Sequence, residues 1–249
     1  MNNYLQLTNE IVMKLAPESS SFWYEHASEE TLLAERHVEI GARARAQLVV
    51  IVDRDSDLIN FQRDYSLGEE SSLEIYYLFL GVKPQHWQLA HTIGKRASIT
   101  SHSLFIGQGA SNLRVVSDYN FTGQGSYGRV RVESMLFAES QLRYDANINV
   151  FPSAQQSDTR VDMRLRLDGP KTRGQVIPSL NIAANDVKAG HSASTFQLSK
   201  EDLFYLRSRG LSPVAVQRLL ALALGRNFVR GLKNQDMADT ILALITKSL

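Results

Sequence analysis

The chain has 249 residues, 43% hydrophobic and 21% charged, which suits one large globular domain or one domain with a small appendage. With 27 basic against 26 acidic residues and a net charge of +1, no global field draws it to nucleic acid or anionic lipid, and neither is expected as a partner. Cysteine is absent, which excludes a disulfide scaffold and any self-contained thiolate metal site.

Residues 1–36 are expected to form an N-terminal helical segment in two pieces. Leu5, Ile11, Val12 and Leu15 have loose helical spacing up to Pro17, and Ser28 is placed to cap a short second helix through Arg36. The opening MNNYLQLTNEIVMKLAP has neither the basic start nor the unbroken apolar core of a secretory signal. No apolar run approaches the roughly eighteen residues of a membrane span, so a cytoplasmic protein without membrane association is expected.

From His37 the period changes to two, and residues 37–195 are expected as a β core. Leu48 to Val52 is a continuous apolar run, and Leu73-Glu74-Ile75-Tyr76-Tyr77 follows a glycine turn. Leu142, Tyr144, Ala146, Ile148 and Val150 alternate with polar residues, as do Val161, Met163, Leu165 and Leu167 with Arg160, Asp162, Arg164 and Arg166. No helical pattern separates these segments, which argues against a βαβ sheet and for a sandwich, a barrel or a β-helix. Gly123 to Gly128 satisfies GxGxxG, but a strand, Arg129 to Glu133, follows where a dinucleotide fold needs a helix. Gly94-Lys95 lacks the remainder of a P-loop, so no bound nucleotide is expected. His86, His91 and His102 have no ligand spacing and are assigned no role.

Residues 196–249 are expected to be helical. Ser199 and Asp202 make an S-x-x-D box, Leu198 is placed to staple onto Leu203, and Gly210 suits a left-handed stop. Ser212 and Pro213 open a second helix with the stripe Val216, Leu219, Leu220 and Ala223, and Ala238, Ile241, Leu242 and Ile245 form a third. Such helices suit a cap over the open end of a β-solenoid.

NDVKAGHSAS followed by LFYLRSRGLSPVAVQRLL resembles the C-terminal hallmark of the SufB/SufD family, scaffolds that assemble iron–sulfur clusters with the ATPase SufC. The likeness is strongest from Arg160 to Phe228, and the chain is short for that family. It implies a mainly β fold, a right-handed parallel β-helix whose roughly 150-residue β region would make about five to seven coils at ~20–30 residues each. It also implies a non-catalytic scaffold subunit of a SUF-type complex, with a SufC-type ATPase and a SufB-type or identical chain as partners. A transient iron–sulfur cluster would form at the subunit interface.

His191 is the candidate cluster ligand. From position alone it is either a metal ligand or a histidine hydrogen-bonding a turn between sheet and helix; the resemblance implies the first. Ala189 stands where relatives often have cysteine, so this chain offers at most an imidazole or a carboxylate to a site whose sulfurs come from a partner. That makes it SufD-like. Phe204, Tyr205, Arg207 and Arg209 mix aromatics with arginine, as interface hot spots do, and the resemblance places ATPase docking here. The competing reading buries the two aromatics in a core and leaves the arginines to complement the helix dipole. A β-helix carbohydrate-active or carbohydrate-binding protein is the alternative function. Its chemistry needs paired carboxylates, for which Asp158, Asp162 and Asp168 are the candidates.

Overall fold

A computed structural model describes residues 4–6, 12–26, 35–53, 60–81, 83–197 and 200–249. Fifteen strands alternate between two parallel sheets. The first sheet takes the odd strands: β1 (Tyr4–Gln6), β3 (Ser20–His26), β5 (Arg45–Val52), β7 (Ser72–Phe79), β9 (Ser98–Gly107), β11 (Tyr127–Phe137), β13 (Asp158–Asp168) and β15 (Lys188–Phe196). The second takes the even strands in the same sequential order: β2 (Val12–Leu15), β4 (Glu35–Ile40), β6 (Asn60–Leu67), β8 (Gln85–Ile93), β10 (Asn112–Phe121), β12 (Gln141–Val150) and β14 (Arg173–Ile182). Every neighbour is one turn away in sequence, so the chain is a β-solenoid of about six turns. A turn lengthens from 25 residues between the corners Glu18 and Arg43 to 31 between Gly125 and Gln156, the offset of the paired Ser126 and Ser157.

The corners carry the repeat. Glu18, Arg43, Glu70, Arg96, Gly125 and Gln156 all have positive φ, between 51° and 68°. The amide of each donates to a carbonyl of the next turn: Arg43 to Glu69 at 2.8 Å, Glu70 to Lys95 at 2.9 Å, Arg96 to Gln124 at 2.9 Å. Non-glycine residues accept this conformation at a cost of about 1–3 kcal/mol each, tolerated because the stacked hydrogen bonds over-determine it. Just after five of these corners a small residue turns inward and is buried: Ala44, Ser71, Ala97, Ser126 and Ser157. Just before, Gly123 lies so close to the turn beneath that a Cβ would come 2.0 Å from the Lys95 amide nitrogen.

Two apolar layers follow from strand alternation. The inner one fills the solenoid around Phe61, Phe79, Trp87, Phe105 and Tyr144. The outer one lies on the far face of the odd-numbered sheet, where Val49, Ile51, Tyr76, Leu78, Leu104, Ile106, Met135 and Phe137 are covered by helices α2 (Pro213–Phe228) and α3 (Gln235–Ser248). Leu48 to Val52 is therefore continuously apolar because both of its faces are buried. Ser212 caps α2 by accepting from the Ala215 amide at 3.2 Å, and Asn234 caps α3 through Met237 at 3.0 Å. The two helices cross closely at Gly225, where a Cβ would meet Ile245 Cδ1 at 2.7 Å.

Three expectations need correction. The N-terminal helical segment is β in the described residues: β1 to β3 replace the first helix and Glu35 and Arg36 open β4, while the Ser28 cap lies outside the described residues. Leu15 and Trp23 face the solenoid interior, so inter-turn pairing overrides the loose helical spacing. The C-terminal helices α2 and α3 do not cap the open end; they plaster the side of one sheet, because that face is apolar over four turns. Within α2 the buried stripe is Val216, Ala221, Gly225 and Phe228, and Leu219 is 52% exposed.

The outer face of the even-numbered sheet is polar and carries an asparagine ladder. Asn149 donates to Asn120 at 2.9 Å and accepts from Asn181 at 2.8 Å. Asn149→Ala removes both bonds and is expected to cost about 1 kcal/mol, a fall of about 3 °C in Tm. Calorimetry tests this, and an unchanged Tm would mean that water replaces the ladder in full.

Candidate functional site

The solenoid ends on two strands that each have one neighbour among the described residues, β14 on β12 and β15 on β13. Pro178, which has no amide hydrogen to donate, is tolerated in β14 because the strand lies at an edge. The inner columns stop here without a further turn above them. Tyr144 is followed by Val176, Ile148 by Leu180 and Val150 by Ile182, and Ile182 is 44% exposed.

His191 lies in the middle of β15, paired in register with Val161, so it stands in the inward-facing column of the last strand. It is not at the turn between sheet and helix, and no hydrogen-bond partner holds it among the described residues. It is exposed on an apolar end surface with Ala189 and Ala193 beside it on the same face of the strand. On the opposite face of β15, Ser192 Oγ donates to Asp162 at 2.6 Å, and Arg160 Nε donates to the same carboxylate at 2.8 Å. The Arg160 hydrogen bond, helped by Ser192, holds the Asp162 carboxyl below its usual range. Asp158 is likewise paired, with Arg129 at 2.9 Å. A glycosidase acid needs a carboxyl held in its neutral form, and Arg160 does the opposite to Asp162.

Helix α1 (Lys200–Ser208) follows β15 and ends at Gly210, whose φ of +83° lets the Leu211 amide reach back to the Leu206 carbonyl at 3.3 Å. Phe204 is 75% and Tyr205 58% exposed, and neither belongs to either apolar layer. The Arg209 guanidinium sits 5.4 Å from the Tyr205 ring centre, a cation–π contact. The side chain of Arg207, the Ser199–Asp202 box and the Leu198–Leu203 staple lie outside the described residues. Two separate exposed surfaces thus adjoin in sequence: the apolar end with His191, and the aromatic face of α1. The order of residues does not mark the first as a surface, because Leu180 and Ile182 alternate with polar neighbours as in any half-buried strand.

No described helix is long and apolar enough to cross a membrane. A family model described as SUF system FeS cluster assembly, SufBD core domain, matches residues 3–224. The chain is 29% identical over 106 residues to the iron–sulfur cluster assembly protein SufD of Escherichia coli (strain K12), covering 43% of this chain and 25% of that protein. It is 29% identical over 102 residues to the chloroplastic protein ABCI7 of Arabidopsis thaliana, covering 41% and 22%. A SufBD family protein of Mycobacterium leprae (strain TN) is 23% identical over 233 residues, covering 84% and 56%. The chain therefore spans between 22% and 56% of the length of these relatives.

Proposed function

Because this chain belongs to the SufB/SufD family of the SUF iron–sulfur cluster assembly system, we propose that it is a SufD-like, non-catalytic scaffold subunit working in the cytoplasm. The observation that carries this reading is the last turn of the solenoid, where, among the described residues, Ile182 and a His191 without a hydrogen-bond partner lie exposed in the inward-facing columns with no turn above them. An apolar edge of this kind is costly in water and suits a second β-solenoid end, from a SufB-type chain or another copy. His191 would then lie inside the interface and offer an imidazole to the cluster being built, with thiolates from the SufB-type partner. The exposed Phe204, Tyr205 and Arg209 would form the docking face for a SufC-type ATPase, together with Arg207. Because α1 follows β15 within a few residues, movement of the ATPase would be transmitted to the strand that carries His191.

Co-expression with a SufC-type ATPase and a SufB-type chain, followed by pull-down, tests the two surfaces separately. Ile182→Asp should release the SufB-type chain and leave the ATPase bound. Phe204→Ala with Tyr205→Ala should do the reverse. His191→Ala should leave both contacts intact and abolish cluster formation in the complex. Retention of every partner by both surface variants would refute the reading.

A further inference from the structure

We propose that Glu35, His37 and Asp64 form a binding site for a divalent first-row metal ion on the outer face of the even-numbered sheet. Strands β4 and β6 pair in parallel with His37 directly opposite Asp64, and Glu35 lies two residues before His37 on the same face. Val38 and Ile40 point into the solenoid, so the three polar residues point outward. Their ligand atoms all lie within 4.8 Å of one another.

The arrangement around the imidazole is what points to a cation. Nδ1 of His37 is 3.1 Å from Asp64 Oδ2, and Nε2 is 3.5 Å from Glu35 Oε1. A neutral imidazole has one N–H and one lone pair, so one of these two approaches sets a lone pair against an anionic oxygen. No lysine or arginine neutralises either carboxylate among the described residues. Besides His37, Asp64 receives among the described residues a long contact from the Gln62 amide at 3.5 Å. Lys14, on the neighbouring strand β2, pairs with Glu39 at 2.8 Å one row further along the sheet. A divalent ion satisfies all three groups together: it accepts the lone pair, and its charge matches two carboxylates. Zinc–nitrogen and zinc–oxygen bonds of about 2.0–2.2 Å require the three donors to converge by small rotations, which partly exposed side chains permit. One imidazole with two carboxylates favours borderline ions such as Zn²⁺, Fe²⁺ and Mn²⁺ over Mg²⁺ and Ca²⁺. Three protein ligands leave coordination positions open to water or to an incoming group. The site is remote in sequence from His191 and stands independently of the interface reading.

Calorimetric titration of the chelator-treated, full-length protein with Zn²⁺, and of a parallel sample with Mg²⁺, tests the site. One Zn²⁺ per chain is expected, with Mg²⁺ much weaker. His37→Ala and Asp64→Asn should each weaken Zn²⁺ by at least about tenfold, with circular dichroism unchanged, and His86→Ala should have no effect. Equal Zn²⁺ affinity in the wild type and the His37→Ala and Asp64→Asn variants, or equal affinity for the two metals, would overturn the proposal. So would a His37 ring NMR signal that responds to pH but not to Zn²⁺, which would leave a proton as the only cation bridging the two carboxylates.

Discussion

Glu25→Ala is expected to destabilise the protein by about 3–5 kcal/mol in urea at neutral pH, because it removes a buried carboxylate that bridges two buried arginines. Glu25, Arg36 and Arg63 project into the solenoid from β3, β4 and β6, and none is more than 3% exposed. Arg36 Nη1 reaches Glu25 Oε1 at 2.5 Å, while Arg63 Nε and Nη2 reach Oε2 and Oε1 at 3.1 and 3.4 Å. Arg63 also lies 4.0 Å over the Phe61 ring. Alanine would remove the counter-charge that the two buried guanidinium groups share. The magnitude reflects the loss of a shared buried counter-charge rather than the net worth of the triad, so replacing all three residues by apolar side chains of similar volume should recover most of the loss. A cost below about 1 kcal/mol for Glu25→Ala would mean that water reaches the arginines.

The second large effect is a loss of stability in acid, traced to His91. Its Nδ1–H donates to the Asp118 carbonyl at 3.1 Å, which leaves Nε2 to accept from the Tyr77 hydroxyl at 3.2 Å. The ring is stacked between Tyr65 and Tyr119, with centres 5.0 and 4.4 Å away. Burial disfavours the charged ring and lowers its pKa to about 4 from 6.5. The unfolded chain therefore takes up this proton at a higher pH than the folded one. The contribution is fully present above about pH 6.5 and is lost as pH falls toward 4, amounting to about 3 kcal/mol. Carboxylates held below their usual range, such as Asp162, lose stability in the same direction, so the comparison must be with His91→Gln. Between pH 7 and 4 the wild type should lose about 3 kcal/mol more than the variant. Parallel pH profiles for the two proteins would show that His91 takes no part.

Much of the β core is legible in the sequence wherever one face is buried and the other wet. Leu142 to Val150 and Val161 to Leu167 alternate because they lie in such strands. Leu48 to Val52 cannot show that pattern, since the helices cover its outer face. The turn repeat is hidden for a different reason. It consists in a backbone angle, and the residues that adopt it are Glu18, Arg43, Glu70, Arg96, Gly125 and Gln156, with no one side-chain type common to all six. The first strands are short and gain their stability from the turn above, so local spacing misleads there. Helix starts are legible at Ser212 because a cap is a local event. His191 is singled out by its motif, but its place on an uncapped end depends on the final strand pairing. The Glu35, His37 and Asp64 group depends on register between β4 and β6 and has no signal in the order of residues.

The outer apolar layer changes how the turns depend on one another. In a bare solenoid each turn touches only the one above and the one below, and the stack is free to fray from either end. Here α2 and α3 lie across β5, β7, β9 and β11 like a splint along four stacked rungs. Tyr76 packs edge-on against Phe228 at 5.4 Å, while Val49 and Met135, three turns of one sheet apart, share the same covering layer. Opening any one of these rungs strips the splint from the other three, so turns that never meet directly stand or fall together.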